Sequence, residues 1–583
     1  MKSTADPKLD CDLVMKGGIT SGVAYPLAVC ELAKKYRLRN IGGTSAGAIA
    51  AAAAAAAEHG RDSTGGGFAR LAALPTWLAG RSRATRRGSN LRHLFQPQKA
   101  TRPTFDVAIA AVEQGTGAAR ALRVTLAALR HHPLAALIGA LCGGALVAAA
   151  AAWGQGVTGW LLGAAGLVLA VIGAATAEVI AAVRSALRML PKNGFGLCSG
   201  LSPAEGKGPR ALTPWLFEEL QSICGRDPGD PPLTFGDLEG KGIKLAMLTT
   251  NLTNGTPYRI PLDTRIFFYR REEMERLFPK AVVDHMVASS RQQPGWEQRR
   301  PWLPMPEASR LPVIVGVRLS LSFPILLSAV PLWSPEFGVG EPGEESMIRN
   351  WFSDGGITSN FPIHFFDRPL PSRPTFAVNL APRDELDPED QCRNIRLPAT
   401  NLQGIRPRWS SFGSVAGFLS AVLDTMQNWS DNAQMRVPAY RDRIVTIYHT
   451  KEEGGLNLDM PDAAVEAMSA RGRCAGEALV RDFDFDNHRW VRYRSFMELF
   501  EDMLPQIQTA FTAEPSNARP YDDLIDDPPS YRKGWSEARK AYVRSRTGRV
   551  IDLSLNWPDP DGRHSFDDEA PKPTAVLRVT PVV

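Results

Sequence analysis

Cysteine is scarce in this chain of 583 residues: seven, scattered, odd in number and without a C-x-x-C pair. That argues against a disulfide scaffold or a thiolate zinc site and fits a reducing compartment. Two phosphate-cradling signatures, G-x-x-x-x-G-K-[ST] and G-x-G-x-x-G, are missing, so nothing points to a bound nucleotide. No calcium loop is present, and no metal or other cofactor is expected. Met1 to Asp12 are polar and mixed in charge, unlike a signal peptide. Acid is absent between Ser63 and Phe105, where Arg81, Arg83, Arg86, Arg87, Arg92, Lys99 and Arg102 cluster. Such a patch attracts anions, but no nucleic-acid module accompanies it, so no specific nucleic acid is expected and anionic lipid headgroups are the better match. With 44% hydrophobic and 22% charged residues, the composition is that of a globular protein. The length implies two or three domains.

From Pro133 to Val183 the sequence is almost continuously apolar, with Glu178 its one charge. Leu134 to Trp153 carries none, nor does Val157 to Ala177, and only Gly154-Gln155-Gly156 separates them. Each stretch is near the roughly 20 residues that cross a hydrocarbon core. Arg120, Arg123 and Arg130 precede the pair, and Arg184, Arg188 and Lys192 follow it. By the positive-inside rule this is a membrane hairpin (about 133–183) with both outer ends cytoplasmic and Trp153 and Trp160 near the far interface. Gly139, Gly143, Gly163 and Gly166 allow its arms to pack closely. A buried or interfacial helix pair, or a flap over an active site, is the competing reading.

Against these absences stand three motifs. Gly43-Thr44-Ser45-Ala46-Gly47 spells G-x-S-x-G, the turn that lifts a nucleophilic serine between strand and helix. Leu38 to Ile41 suits the strand and Ala48 to Ala57 the helix. Upstream, Leu13 to Lys16 reads as a strand, then Gly17-Gly18-Ile19-Thr20-Ser21-Gly22, then a helical stretch from Val23 to Lys35. A glycine-rich turn at a helix start presents free N–H groups that can hold a developing oxyanion. Far downstream, Asp354-Gly355-Gly356 offers a carboxylate on a tight turn. Free aspartate is a weak base, and burial or contact with the serine would strengthen it.

Together the three motifs resemble the patatin-like phospholipase family, across about 10–60 and 193–382. The resemblance implies a Ser-Asp dyad, with Ser45 as nucleophile and Asp354 as general base, and no metal. It implies an oxyanion hole lined by Gly17, Gly18 and the Ile19 N–H, with the Ala46 N–H a further candidate, an elbow braced by Gly43 and Gly47, and a turn built on Gly355 and Gly356. Lys244 to Asn251, Leu319-Ser320-Leu321-Ser322-Phe323-Pro324 and Ser328 to Pro331 also look like that family. The loop departs from the family pattern: Ile19 stands where a third glycine is usual and Ser21 where a basic residue is. Lys16 is a substitute for that charge.

The expected architecture is α/β: a patatin-like three-layer fold with a mainly parallel sheet, an inserted hydrophobic helical hairpin and a mostly helical C-terminal extension. Residues 10–62 form the first part of the core, 63–192 a basic insertion carrying the hairpin, and 193–382 the second part. The core resumes near Phe195, continues through a helix at Pro214 to Cys224, and closes after a strand at Thr375 to Leu380. Residues 383–583 form an extension of undeclared role, with helices at Ser414 to Asn428 and Val465 to Asp482. The expected activity is hydrolysis of fatty-acyl esters of phospholipid or another lipid by a membrane-associated serine enzyme. Two alternatives stand beside it: a membrane-anchored scaffold weakened by the altered loop, and an α/β-hydrolase whose triad is completed by His364, His449, His488 or His564. Protein partners are not declared.

Overall fold

The computed structural model of the chain describes residues 7–18, 20–81, 89–112, 123–127, 130–131, 133–153, 156–203, 210–262, 265–294, 296–336, 346–400, 403, 413–450, 452–455, 457–458, 460–512, 519–527, 535–567 and 571–572. Ile19, Arg83, Arg86, Arg87, Arg120, Gly154 and Gln155, named above, lie outside them.

The strands, in chain order, are β1 (Leu9–Met15), β2 (Tyr36–Gly43), β3 (Gly196–Cys198), β4 (Lys244–Asn251), β5 (Thr256–Ile260), β6 (Phe268–Tyr269), β7 (Leu303–Pro304), β8 (Ile325–Leu327), β9 (Val330–Pro335), β10 (Met347–Asp354), β11 (Thr375–Pro382), β12 (Ile395–Arg396) and β13 (Ile444–His449). All but β3 and β8 join one sheet, ordered β12-β13-β11-β1-β2-β4-β10-β9-β6-β7 with β5 on β4. The centre, β13 to β4, is parallel. The remaining pairings are antiparallel. The sheet is therefore mixed, and the mainly parallel arrangement expected from sequence describes only its centre. The reason lies in the connections: β1 and β2 are bridged by a helix, as parallel neighbours require, whereas β4–β5 and β9–β10 are hairpins.

Successive residues of the central strands alternate between two cores, as the pleat requires. Leu13, Met15, Leu245, Met247 and Val445 enter the larger one. Val14, Ala246, Leu248 and Ile444 meet Phe361, Ile363, Phe365 and Phe366 on the other face. The strand at Thr375–Pro382 does not close the sheet. Ile444, Val445 and Ile447 are fully apolar, and their strand adds in register beside it, with Ala377 opposite Ile444. Part of the region after 382 thus belongs to the same sheet.

The helices needed below are α1 (Tyr25–Ala33), α2 (Ala46–His59), α3 (Gly67–Ala79), α4 (Pro133–Trp153), α5 (Gly156–Met189), α6 (Leu212–Ile223), α7 (Val313–Leu321), α8 (Val415–Gln434), α9 (Asp462–Asp482), α10 (Phe485–Thr512) and α11 (Glu537–Asn556). Helix α9 lies backbone to backbone on the start of the chain. A Cβ at Gly472 would fall 1.9 Å from the Ala24 carbonyl oxygen, and one at Gly476 2.6 Å from that of Ala28. Helices α4 and α5 run antiparallel and equally close: a Cβ at Gly139 would fall 2.1 Å from the Gly173 carbonyl oxygen, and one at Gly143 2.1 Å from the Ala170 nitrogen. Among the described residues α5 is the one helix long and apolar enough by itself to cross a bilayer. The stretch Pro133–Leu141 with Gly143–Ala152 passes only when taken together, across a 49° bend. The scattered cysteines include one cross-link, Cys392 to Cys474, which joins the turn before β12 to α9. Cys11, Cys30, Cys198 and Cys224 are free.

Candidate active site

The site forms where β1, β2 and β10 end. Strand β2 runs into Gly43-Thr44-Ser45 and α2 begins at the next residue. Ser45 has φ 56° and ψ −129°, a conformation that costs of order 1–3 kcal/mol for a residue with a Cβ. The glycines on either side permit it. A Cβ at Gly43 would sit 2.3 Å from the Gly47 carbonyl oxygen, and one at Gly47 2.4 Å from that of Met15. The Ser45 N–H donates to Ser320 Oγ at 3.2 Å, which fixes the elbow to α7.

Strand β10 ends on Asp354, and the Ser45 hydroxyl donates to Asp354 Oδ2 at 2.7 Å. Asp354 Oδ1 accepts the Gly356 N–H at 2.7 Å. Gly355 lies so close to β4 that a Cβ would fall 2.0 Å from the Leu248 carbonyl oxygen. Both members are almost completely buried. Burial pushes the Asp354 carboxyl up to about 7, against the bonds from Ser45 and Gly356, which lower it. Asp354 can thus take a proton near neutral pH.

The glycine-rich loop follows β1. The Gly17 N–H donates to the Asn360 carbonyl oxygen at 2.9 Å, so this glycine serves by close approach rather than as a free donor. Its Cβ would lie 2.1 Å from Asn360 Oδ1 and 3.0 Å from Ser45 Cβ. Among the described residues the N–H groups of Gly18 and Ala46 have no partner, and both glycine loop and elbow border the same space. Lys16 is half-buried, and its ammonium donates to the Leu380 carbonyl oxygen at 3.3 Å. Desolvation lowers its pKa, opposed by Asp431 and Asp424.

Two cavities flank the elbow, one bordered by Ser45 and the other by Ala46. The first is about half polar; Lys16, Asp354, Asp424, Asn428 and His449 line it beside Phe323, Pro324 and Leu380. The second is almost wholly apolar; it runs between Gly22, Tyr25 and Ala46 and on to Leu71, Leu94 and Trp215. Ala46, Ala50 and Ala53, spaced along one side of α2, form its floor, and their small side chains leave the room. Of the four histidines weighed above, His449 lines the polar cavity, but its Nδ1 faces the Thr450 carbonyl oxygen at 2.8 Å. His488 pairs with Asp442 at 2.7 Å, and His364 packs against Phe365. The His564 N–H is held by Asp559 in a C-terminal loop.

Three supporting residues escape sequence reasoning. Asp431, on α8, accepts from the Ser359 hydroxyl and from the Asn360 and Phe361 N–H groups, each at 2.8 Å. It thereby holds the segment after Gly356 that also receives the Gly17 N–H. Arg318 on α7 is buried and pushed down to about 10 by desolvation. It donates to Ser322 Oγ at 2.6 Å and to the Ser199 and Ser328 carbonyl oxygens. The Ser322 carbonyl oxygen in turn accepts the Asp354 N–H at 3.1 Å. Nothing in spacing marks Asp431 or Arg318; a lone charge in an otherwise apolar helix, as at Arg318, is the only signal. Ser320, which receives the Ser45 N–H, was visible only as part of a stretch.

A family model described as "Patatin-like phospholipase" matches residues 13–110. A curated protein called "RpoH suppressor", from Rhizobium meliloti (strain 1021), is 34% identical over 647 residues, covering 99% of each chain. Among solved structures, VipD from Legionella pneumophila aligns over 95% of this chain and 87% of its own at 14% identity. Its TM-score of 0.26 is too low to equate the two folds.

Proposed function

Since the chain belongs to the patatin-like phospholipase family, we propose that it is a membrane-associated serine hydrolase that cleaves fatty-acyl esters of phospholipids through Ser45 and Asp354. The observation that carries the reading is the 2.7 Å bond from the Ser45 hydroxyl to a buried carboxylate whose pKa lies near neutrality. Ser45 Oγ attacks the ester carbonyl carbon as its proton passes to Asp354 Oδ2. The oxyanion is received by the Gly18 and Ala46 N–H groups, the latter at the positive end of α2. The alcohol leaves with the proton from Asp354, and water, deprotonated by the same carboxylate, then releases the fatty acid. The acyl chain lies in the apolar cavity and the alcohol portion in the polar one, which is the division an amphiphilic ester needs.

Membrane association rests on α4 and α5, which we read as a spanning pair with the catalytic part on the cytoplasmic side. Leu134, Trp160 and Leu167 are more than half exposed on them, as lipid-facing residues would be. The test is release of fatty acid from phospholipid vesicles without calcium by wild type, Ser45→Ala and Asp354→Asn, with fluorophosphonate labelling in parallel. Wild type is expected to release fatty acid and take the label, and both variants to fail in turnover. A folded wild type that does neither would leave a scaffold in place of an enzyme.

A further inference from the structure

Helix α8 forms one wall of the polar cavity, and its two sides differ completely. At about 100° per residue, Val415, Leu419, Val422, Met426 and Trp429 fall within an arc of about 80°. All five are exposed, Trp429 by 65% and Met426 by 61%. Asp424, Gln427, Asn428 and Asp431 occupy the opposite side; the first three line the cavity and Asp431 is tied to Asn360 and Phe361. An apolar stripe of this kind on a soluble surface marks a binding face. The helix that carries this one lends its other side to the cavity that holds Ser45 and Asp354. The sequence that leads into the helix, 397–414, contains Arg406 and Arg408 and no acid, which suits an anionic surface.

We infer that the outer face of α8 beds into the interfacial layer of an anionic phospholipid bilayer, so that the helix serves as the lipid-facing lip of the active site. The bilayer then meets the protein at the cavity mouth itself, independently of the anchor at α4 and α5. The inference takes its substrate from the lipid hydrolase reading, but its first test does not depend on catalysis. The full chain carrying Leu419→p-benzoylphenylalanine is reconstituted in vesicles of equimolar phosphatidylcholine and phosphatidylglycerol and illuminated. The control is Tyr542→p-benzoylphenylalanine, at a position 60% exposed on α11. A lipid adduct is expected at 419 and not at 542. No lipid adduct at 419, or a protein–protein adduct there in its place, overturns the inference, the latter in favour of a self-association face. The second arm uses Leu419→Ser with Met426→Ser. Hydrolysis of the same vesicles is expected to fall at least tenfold while hydrolysis of monomeric p-nitrophenyl butyrate is unchanged. Equal change in both substrates, or in neither, overturns it. If wild type cleaves neither substrate, it is the hydrolase reading that fails, and the adducts still decide the face.

Discussion

Beside Ala46 the walls are alanine, leucine and tryptophan; beside Ser45 lysine, aspartate, asparagine and histidine stand among apolar residues. The apolar side is built by volume. Small residues on α2 face large ones on α3 and α6, and no hydrogen bond has to be placed. The polar side is built by connection, with Lys16, Asp354 and His449 each hydrogen-bonded and the first two held from distant parts of the chain. The two sides should therefore fail differently: the first gradually, by filling, and the second abruptly, when a single link is removed.

The sharpest break is at the junction itself. Ser45→Ala and Asp354→Asn are each expected to lower kcat by roughly a thousandfold or more, read as fatty-acid release by folded protein. On the polar side, Asp431→Ala strands the Asn360 and Phe361 N–H groups, at a cost of about 1–3 kcal/mol for each buried donor. The expected loss of stability is measurable by denaturant unfolding, with a fall in kcat for the monomeric ester as well as for vesicles. On the apolar side, Ala50→Phe shortens the cavity. Palmitoyl esters are expected to lose about tenfold in kcat/KM, near 1.4 kcal/mol, and butyryl esters little. Equal losses on both would deny the cavity its acyl chain.

Changes of pH act on the same carboxylate without altering a residue. A carboxyl raised to about 7 is a base only above that value, so kcat/KM should climb about tenfold per pH unit below it and level off beyond. The same shift opposes folding. The unfolded carboxyl ionises near 4 and the folded one near 7, so this residue's contribution falls as pH rises through that window. Asp354→Asn should therefore raise Tm at pH 8 and leave it nearly unchanged at pH 4.

What could be read from sequence was local. The G-x-S-x-G turn, the strand at Lys244–Asn251 and the apolar arms after Pro133 each declare themselves within a few residues. Gly17 illustrates the limit: its place in a glycine loop is plain, yet where its N–H goes depends on Asn360, far along the chain. Asp431 and Arg318 act through partners distant in sequence, and no periodicity encodes such pairs. The mixed sheet escapes sequence for the same reason, because no local pattern says which way the neighbours of Met347–Asp354 run.

The seating of α9 on α1 bears on the order in which the molecule is made. Gly472 and Gly476 fit against Ala24 and Ala28, and Val14 has Ala377 for a strand partner. During synthesis the glycine loop and elbow leave the ribosome well before Asp354, Ala377 and Gly472, the residues that complete their surroundings. Such distant pairings fold slowly. On the proposed function, the nascent chain is thus expected to lack hydrolytic power until the strand at Thr375–Pro382 and the helix at Asp462–Asp482 have been made.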